Sequence, residues 1–198
     1  MTQFETSSHY FLKLNEVLQN TKVTDKESVG SSLNEGMQSA IGLILRVLHE
    51  NQKVMIIGNG GSAAIASHVH NDLSKSVGVR ALTFFEPPLL TALSNDLDYK
   101  LAFETQVNLW VEQRDLMIAI SSSGKSENII RAVKAAKSKG CDIITLSGFN
   151  EDNPLRRIGN INFYVPSEYY GFVETSHAAL LHCLTDFATQ EKLKHSLK

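Results

Sequence analysis

"DLMIAISSSGKSENIIRAVKAAKSKGCDIITLS", residues 115–147, decides the fold. It opens on a short β-prone run that is apolar on consecutive positions. It then passes through a loop of hydroxyls and glycine into a helical stretch over 126–139, and returns to a second apolar run, "CDIITLS". Strands of this kind, alternating with helices, belong in a parallel sheet covered on both faces. The pattern repeats outward from there: "KVMIIG", "RALTFF" and "INFYVP" are further strands, and helices are expected around 62–76, 101–111 and 172–191. The reading is a doubly wound α/β domain with five parallel strands.

Before residue 53 the pattern is helical. Phe11, Leu14 and Leu18 mark one helix, and Leu33, Met37, Ile41, Ile44, Leu45, Val47 and Leu48 mark a second, with a break near "TKVTDKESVGSS". Residues 1–51 therefore form a helical N-terminal extension of a single domain spanning 1–198. Phe4, Tyr10, Phe11 and Leu18 lie outside a sheet that already has its own cover, which suggests surface for a partner helix.

Composition narrows the function. With 198 residues and 42% hydrophobic residues the chain can bury a substantial core without staples, and its two cysteines, Cys141 and Cys183, read as small buried hydrophobes. A net charge of -2 provides no electrostatic footprint for nucleic acid or an anionic membrane. No signal core or membrane-length apolar run is seen, so the expectation is a soluble, cytoplasmic protein. Any anion must be caught locally.

Two loops are suited to that. "GNGGSAA", residues 58–64, and "SSSGKSEN", residues 121–128, each follow a strand and open a helix, where ligands sit in open α/β sheets. Their hydroxyls, backbone amides and helix N-termini would fit a phosphate. Ala63 breaks the dinucleotide-binding G-x-G-x-x-G spacing and no P-loop is present, so no nucleotide cofactor is expected. The bland alternative is a capped turn, with Ser126 as N-cap and Gly124 as turn residue. One loop alone would favour that alternative; two on one sheet edge favour a cradle.

"GNGGSAA", "ALSNDLDY", the 119–148 stretch and a C-terminal helix with spaced histidines together resemble the sugar isomerase (SIS) domain family, and within it the phosphoheptose isomerase branch, over nearly the whole chain. The resemblance implies a flavodoxin-like sheet and a homotetramer with sites between subunits. It also implies interconversion of sedoheptulose 7-phosphate and D-glycero-D-manno-heptose 7-phosphate, an early step toward bacterial surface-polysaccharide heptose. Carried over by position, Asn59, Gly60, Ser62, Ser121, Ser122, Ser123 and Ser126 would hold the phosphate and sugar chain, and Asp96 sugar hydroxyls. His68, Asp72, Glu174 and His182 would form a catalytic cluster that in some members binds zinc.

Spacing lends that cluster independent support. His68 and Asp72 are i and i+4 on one helix face. Glu174 and His182 are eight apart, about two turns plus 80°. Two imidazoles and two carboxylates suit tetrahedral zinc and equally suit acid/base work. Asp72 is the candidate base and His182 the candidate acid, with Glu174 a rival base. The family has glutamate where Asp72 stands, and a D-R-I-Q stretch where this chain reads "GFVE", Gly171 to Glu174. An isomerase of another sugar phosphate, or a non-catalytic SIS regulator resembling the protein that binds the replication initiator DnaA, are the alternatives. His9, His49, His70 and His195 are assigned no role, Lys125 is read as solvated, and His177 as a core or interface residue.

Overall fold

The computed structural model describes residues 5–196. Phe4, one of the expected partner-facing residues, lies outside them. In chain order the elements are α1 (Ser7–Gln19), β1 (Lys22–Asp25), β2 (Gly30–Ser31), α2 (Leu33–His49), β3 (Lys53–Ile57), α3 (Gly61–Asp72), β4 (Arg80–Thr83), α4 (Pro87–Asp96), α5 (Ala102–Trp110), β5 (Leu116–Ser121), α6 (Glu127–Ser138), β6 (Asp142–Ser147), β7 (Ile161–Tyr164) and α7 (Tyr170–Ser196).

The seven strands form one sheet in the order β2-β1-β7-β6-β5-β3-β4. Its last five, β7-β6-β5-β3-β4, are parallel. Numbered by their appearance in the chain they run 2-1-3-4-5 from the β4 edge, the flavodoxin-like order that the family resemblance implied. The sheet is wider than five strands, however. "TKVTDKESVGSS" is more than a break between helices: β1 and β2 fold into an antiparallel hairpin there, and β1 pairs antiparallel with β7. Asn162, fully buried on β7, holds this junction. Its Nδ2 donates to the Thr24 and Asp25 carbonyls at 3.2 and 3.3 Å, while its Oδ1 accepts from Thr145 Oγ1 at 2.8 Å.

Every residue of β3 and β5 is buried, which is why both read as continuous apolar runs. Alternate residues feed opposite layers. Val54, Ile56, Ile118 and Ile120 pack with α2, α3 and α7, through Ile41, Ala66, Val69 and Leu181. Met55, Ile57, Met117 and Ala119 pack with α5 and α6, through Phe103, Val107, Ile129 and Val133. The helices after β3 and β5 thus lie on opposite faces.

At the other end of these strands Asp115, with no exposed surface, accepts from the backbone amides of Lys53 and Glu112 at 3.1 and 2.7 Å and pairs with Lys53 Nζ at 2.7 Å. Removing the carboxylate orphans two amides and leaves the nearly buried Lys53 with Glu112 alone. Asp115→Ala is therefore expected to lower unfolding stability by about 3 kcal/mol with an unchanged denaturant slope, measured by urea titration; a loss below about 1 kcal/mol would contradict this anchoring.

Candidate active site

Strand order reverses between β3 and β5, and the loops leaving their carboxyl ends diverge to opposite faces, opening a crevice between them. A cleft of about 240 Å³ occupies this place, lined by Asn59, Gly60, Gly61 and Ser62 from the first loop, Ile120 to Ser123 and Ser126 from the second, and Tyr170 and Glu174 from α7. Ser126 stands at the N-cap of α6, yet its hydroxyl makes no cap bond; it accepts instead from Ser121 Oγ at 3.2 Å. Gly60, at the N-cap of α3, has no side chain with which to cap. By contrast α2, away from the cleft, carries a full capping box from Ser32 and Glu35. Two helix N-termini without side-chain caps, facing one polar cleft, favour an anion cradle over a pair of ordinary turns.

The second loop is braced from behind. Gly124 has φ 62°, and a Cβ there would lie 2.0 Å from Asn153 Oδ1, so only glycine fits. Asn153 is fully buried; its Nδ2 donates to Ser147 Oγ and to the Gly148 and Asn150 carbonyls, and its Oδ1 accepts from Arg156 N. Leu155 N donates to the Gly124 carbonyl, and Gly148 N to that of Ser122. In the first loop a Cβ on Gly61 would meet the Glu174 carboxylate at 2.5 Å. Glu174 therefore sits directly over the start of α3.

Further along the seam between α3 and α7 the histidines converge. Asp72 Oδ2 lies 3.4 Å from His68 Nε2 and 3.5 Å from His182 Nδ1, and the two rings are 4.8 Å apart between centroids. The i, i+4 pair of α3 and the last-helix histidine thus come together. Glu174 does not join this trio in the present arrangement: it is about 12 Å from His182 along the helix axis, with its carboxylate in the cleft. A small apolar hollow lined by Ala64, Ile65, Val69 and Ala178 together with the two histidines lies along this seam.

The trio fits zinc. Its donors are two imidazole nitrogens and a carboxylate oxygen within 4.8 Å of one another. Separations of 3.4 and 3.5 Å are long for hydrogen bonds, and on these two of the three sides they lie near the ~3.3 Å edge of a tetrahedron built on metal–N and metal–O bonds of about 2.0–2.1 Å. Asp72 Oδ1, the other carboxylate oxygen, accepts from Asn71 at 3.2 Å.

Asp96 lies elsewhere, exposed at the end of α4, where it accepts from Asn95; it does not line the cleft. Lys125 is exposed, as expected. Sequence reasoning missed Tyr99 and Asn128, both hydrogen-bonded to Asn59, and Tyr170 at the cleft mouth. Tyr99 and Asn128 lie 40 and 69 residues from Asn59, so no local pattern announces them.

His177 is fully buried behind the cleft. Its Nε2 lies 3.2 Å from the Ser147 carbonyl, which can only accept, so Nε2 carries the proton and Nδ1 is left as a bare acceptor. Burial pushes its pKa down to about 4, against the raising effect of the Ser147 bond.

Residues 9–148 match the SIS domain family, and the chain belongs to it. Among similar proteins, the phosphoheptose isomerase of Syntrophotalea carbinolica is 32% identical over 189 residues, spanning 92% of this chain and 91% of that one. The phosphoheptose isomerase of Nitratiruptor sp. is 32% identical over 176 residues, spanning 85% and 92%. The solved phosphoheptose isomerase from Francisella tularensis superposes with a TM-score of 0.81 at 26% identity, covering 96% of this chain and all of that chain; the one from Neisseria gonorrhoeae gives 0.80 at 27%, covering 92% and 96%.

The buried His177 also makes stability depend on pH. The unfolded state binds its proton near pH 6.5 and the folded state only near 4, so stability present above 6.5 is lost as pH falls between these values. Up to about 3 kcal/mol is at stake. Unfolding titrations from pH 7 to 4 are expected to show this slope in the native protein and its reduction in His177→Gln; equal slopes in both would contradict the assignment.

Proposed function

We propose that the chain is a phosphoheptose isomerase, interconverting sedoheptulose 7-phosphate and D-glycero-D-manno-heptose 7-phosphate in the cytoplasm on the way to a surface-polysaccharide heptose. The observation that carries this reading is the seam between α3 and α7, with the serine-lined cleft at one end and the His68, Asp72, His182 trio at the other. Ser62 and His68 are six residues apart, about 9 Å along α3. An open sugar chain advancing about 1.2 Å per bond spans that distance from its terminal phosphate to its first two carbons. The similarity to named phosphoheptose isomerases supports the same substrate.

In the ketose-to-aldose direction a base removes a proton from C1, a proton passes from O1 to O2 as the enediol forms and collapses, and a proton returns to C2. Asp72 takes the C1 proton on Oδ1, the oxygen that accepts from Asn71, and His182 carries the proton between the oxygens. Glu174, in the cleft, holds the sugar hydroxyls between phosphate and carbonyl. Binding energy from the phosphate is thereby converted into orientation at carbons that the cradle does not touch. His68, Asp72 and His182 would hold the zinc, which supplies Lewis-acid polarisation of the carbonyl when bound.

A homotetramer belongs to the proposal. His68 and His182 side chains are 57% and 49% exposed, whereas an enediol intermediate is best protected from water. A neighbouring subunit over this seam would exclude it. Phe11, Leu109 and Trp110 are 63%, 78% and 56% exposed, and α1 buries none of its residues, so apolar surface for such contacts is present.

Incubation with sedoheptulose 7-phosphate is expected to give the aldose phosphate, with deuterium from solvent entering C1 and C2. Asp72→Asn and His182→Ala should each lower kcat by 10²-fold or more, about the contribution of a positioned acid or base. Glu174→Gln should act mainly on KM. Loss of kcat in Glu174→Gln with activity retained in Asp72→Asn would reverse the roles of the two carboxylates. Chelation should remove stoichiometric zinc, read by metal analysis, and zinc retention should fail in His68→Ala. Ketose binding without exchange would favour the non-catalytic alternative.

A further inference from the structure

Asn59 lines the cleft, and three groups fix its amide. Its Nδ2 donates to Asn128 Oδ1 at 3.0 Å, its Oδ1 accepts from Asn128 Nδ2 at 2.9 Å, and the same Oδ1 accepts from the Tyr99 hydroxyl at 2.7 Å. A reciprocal amide pair taken alone could be drawn with both side chains flipped. One backbone group removes that freedom. Ile129 N–H, shared with the Ser126 carbonyl, points at Asn128 Oδ1 from 3.0 Å, and a backbone N–H can only donate. A flipped Asn128 would set donor against donor. Asn128 Oδ1 is therefore fixed, Asn59 Nδ2 must face it, Asn59 Oδ1 must face Asn128 Nδ2, and Tyr99 must donate.

We infer that Tyr99 and Asn128 are positioning residues that make Asn59 a pure donor toward the cleft, tuned to a phosphate dianion. Both lone pairs of Asn59 Oδ1 are spent, and the second Nδ2 hydrogen is the one side-chain hydrogen-bonding group left to it among the described residues. Asn128 is 4% exposed and sits in the first turn of α6, while Asn59 precedes α3, so the pair also ties together the two loops that form the cradle. Tyr99 stands on a short 3-10 turn, Tyr99–Leu101, that leads into α5, and its ring lies 6.4 Å from that of Phe103. Its hydroxyl connects this third segment to the cradle. A group that accepts as well as donates, such as a neutral sugar hydroxyl, gains less from a donor-only amide than an anion does.

The inference rests on reading the cleft as a phosphate site, and its test is separate from isomerase activity. Inorganic phosphate is titrated calorimetrically into the native protein, Tyr99→Phe and Asn128→Ala, with thermal unfolding measured alongside. Tyr99→Phe keeps the ring against Phe103 and removes only the donor. It is expected to weaken phosphate binding roughly three- to tenfold, in line with one hydrogen bond, with Tm nearly unchanged. Where turnover is measurable, KM for the sugar phosphate should rise by the same factor while kcat holds. Asn59→Asp, which replaces the donor by a carboxylate, should abolish phosphate binding. Unchanged phosphate affinity in Tyr99→Phe, or no phosphate binding by the native protein, would overturn the inference. Phosphate binding weakened as expected in a protein without isomerase activity would uphold it while defeating the heptose reading.

Discussion

Adjacent parallel strands β3 and β5 send their chains to opposite faces of the sheet, and the site depends on that divergence. A helix that follows a buried strand must cover one face or the other. Because α3 goes one way and α6 the other, nothing fills the space above the two strand ends, and the first turns of both helices border it. Unpaired backbone donors are thus collected in one crevice before any side chain is chosen. Serine and glycine at these loops then add hydroxyls and close approach, and Glu174 can rest on Gly61 because no Cβ intervenes.

The rest of the architecture keeps that crevice in register. Asp115 ties the starts of β3 and β5 together at the far edge, and Asn153 braces the serine loop from the β6–β7 connection. The pairing of α3 with α7 then places the histidines away from the two loops: the two helices run side by side in the same direction, so Gly61 meets Glu174 and His68 meets His182. The cleft and the His68–Asp72–His182 trio are thus separated along one helical seam rather than crowded into one pocket.

The parallel strands β3 and β5 were legible because full burial on both faces leaves an uninterrupted apolar run, Val54 to Ile57 and Leu116 to Ile120, whereas β4, none of whose residues is fully buried, was read from its β-prone residues. The His68–Asp72 pair was legible from its spacing, and the two loops from their composition. The β1–β2 hairpin was not, because Val23 is its one strongly buried apolar side chain amid polar residues. Helix α4 buries nothing, so "PPLLTALSND" carries no periodic stripe pointing to a core. Asp96, expected near the sugar, is exposed at that helix's end, whereas Tyr99 three residues later reaches Asn59; the resemblance pointed to the segment but not to that contact. Ser126 illustrates a further limit: its position is that of a helix cap, and only the coordinates show that its hydroxyl is turned to Ser121.

The central claim is that one phosphosugar lies along the α3–α7 seam with its phosphate between the two loops. A crystal structure of the protein with sedoheptulose 7-phosphate, or with a non-isomerisable analogue, tests it most directly. The account predicts phosphate oxygens within hydrogen-bonding distance of Ser121, Ser123 or Ser126 and of the α3 N-terminus, and the first two carbons beside Asp72 and His182. A phosphate bound outside the cleft, or a sugar chain leading away from the trio, would contradict it.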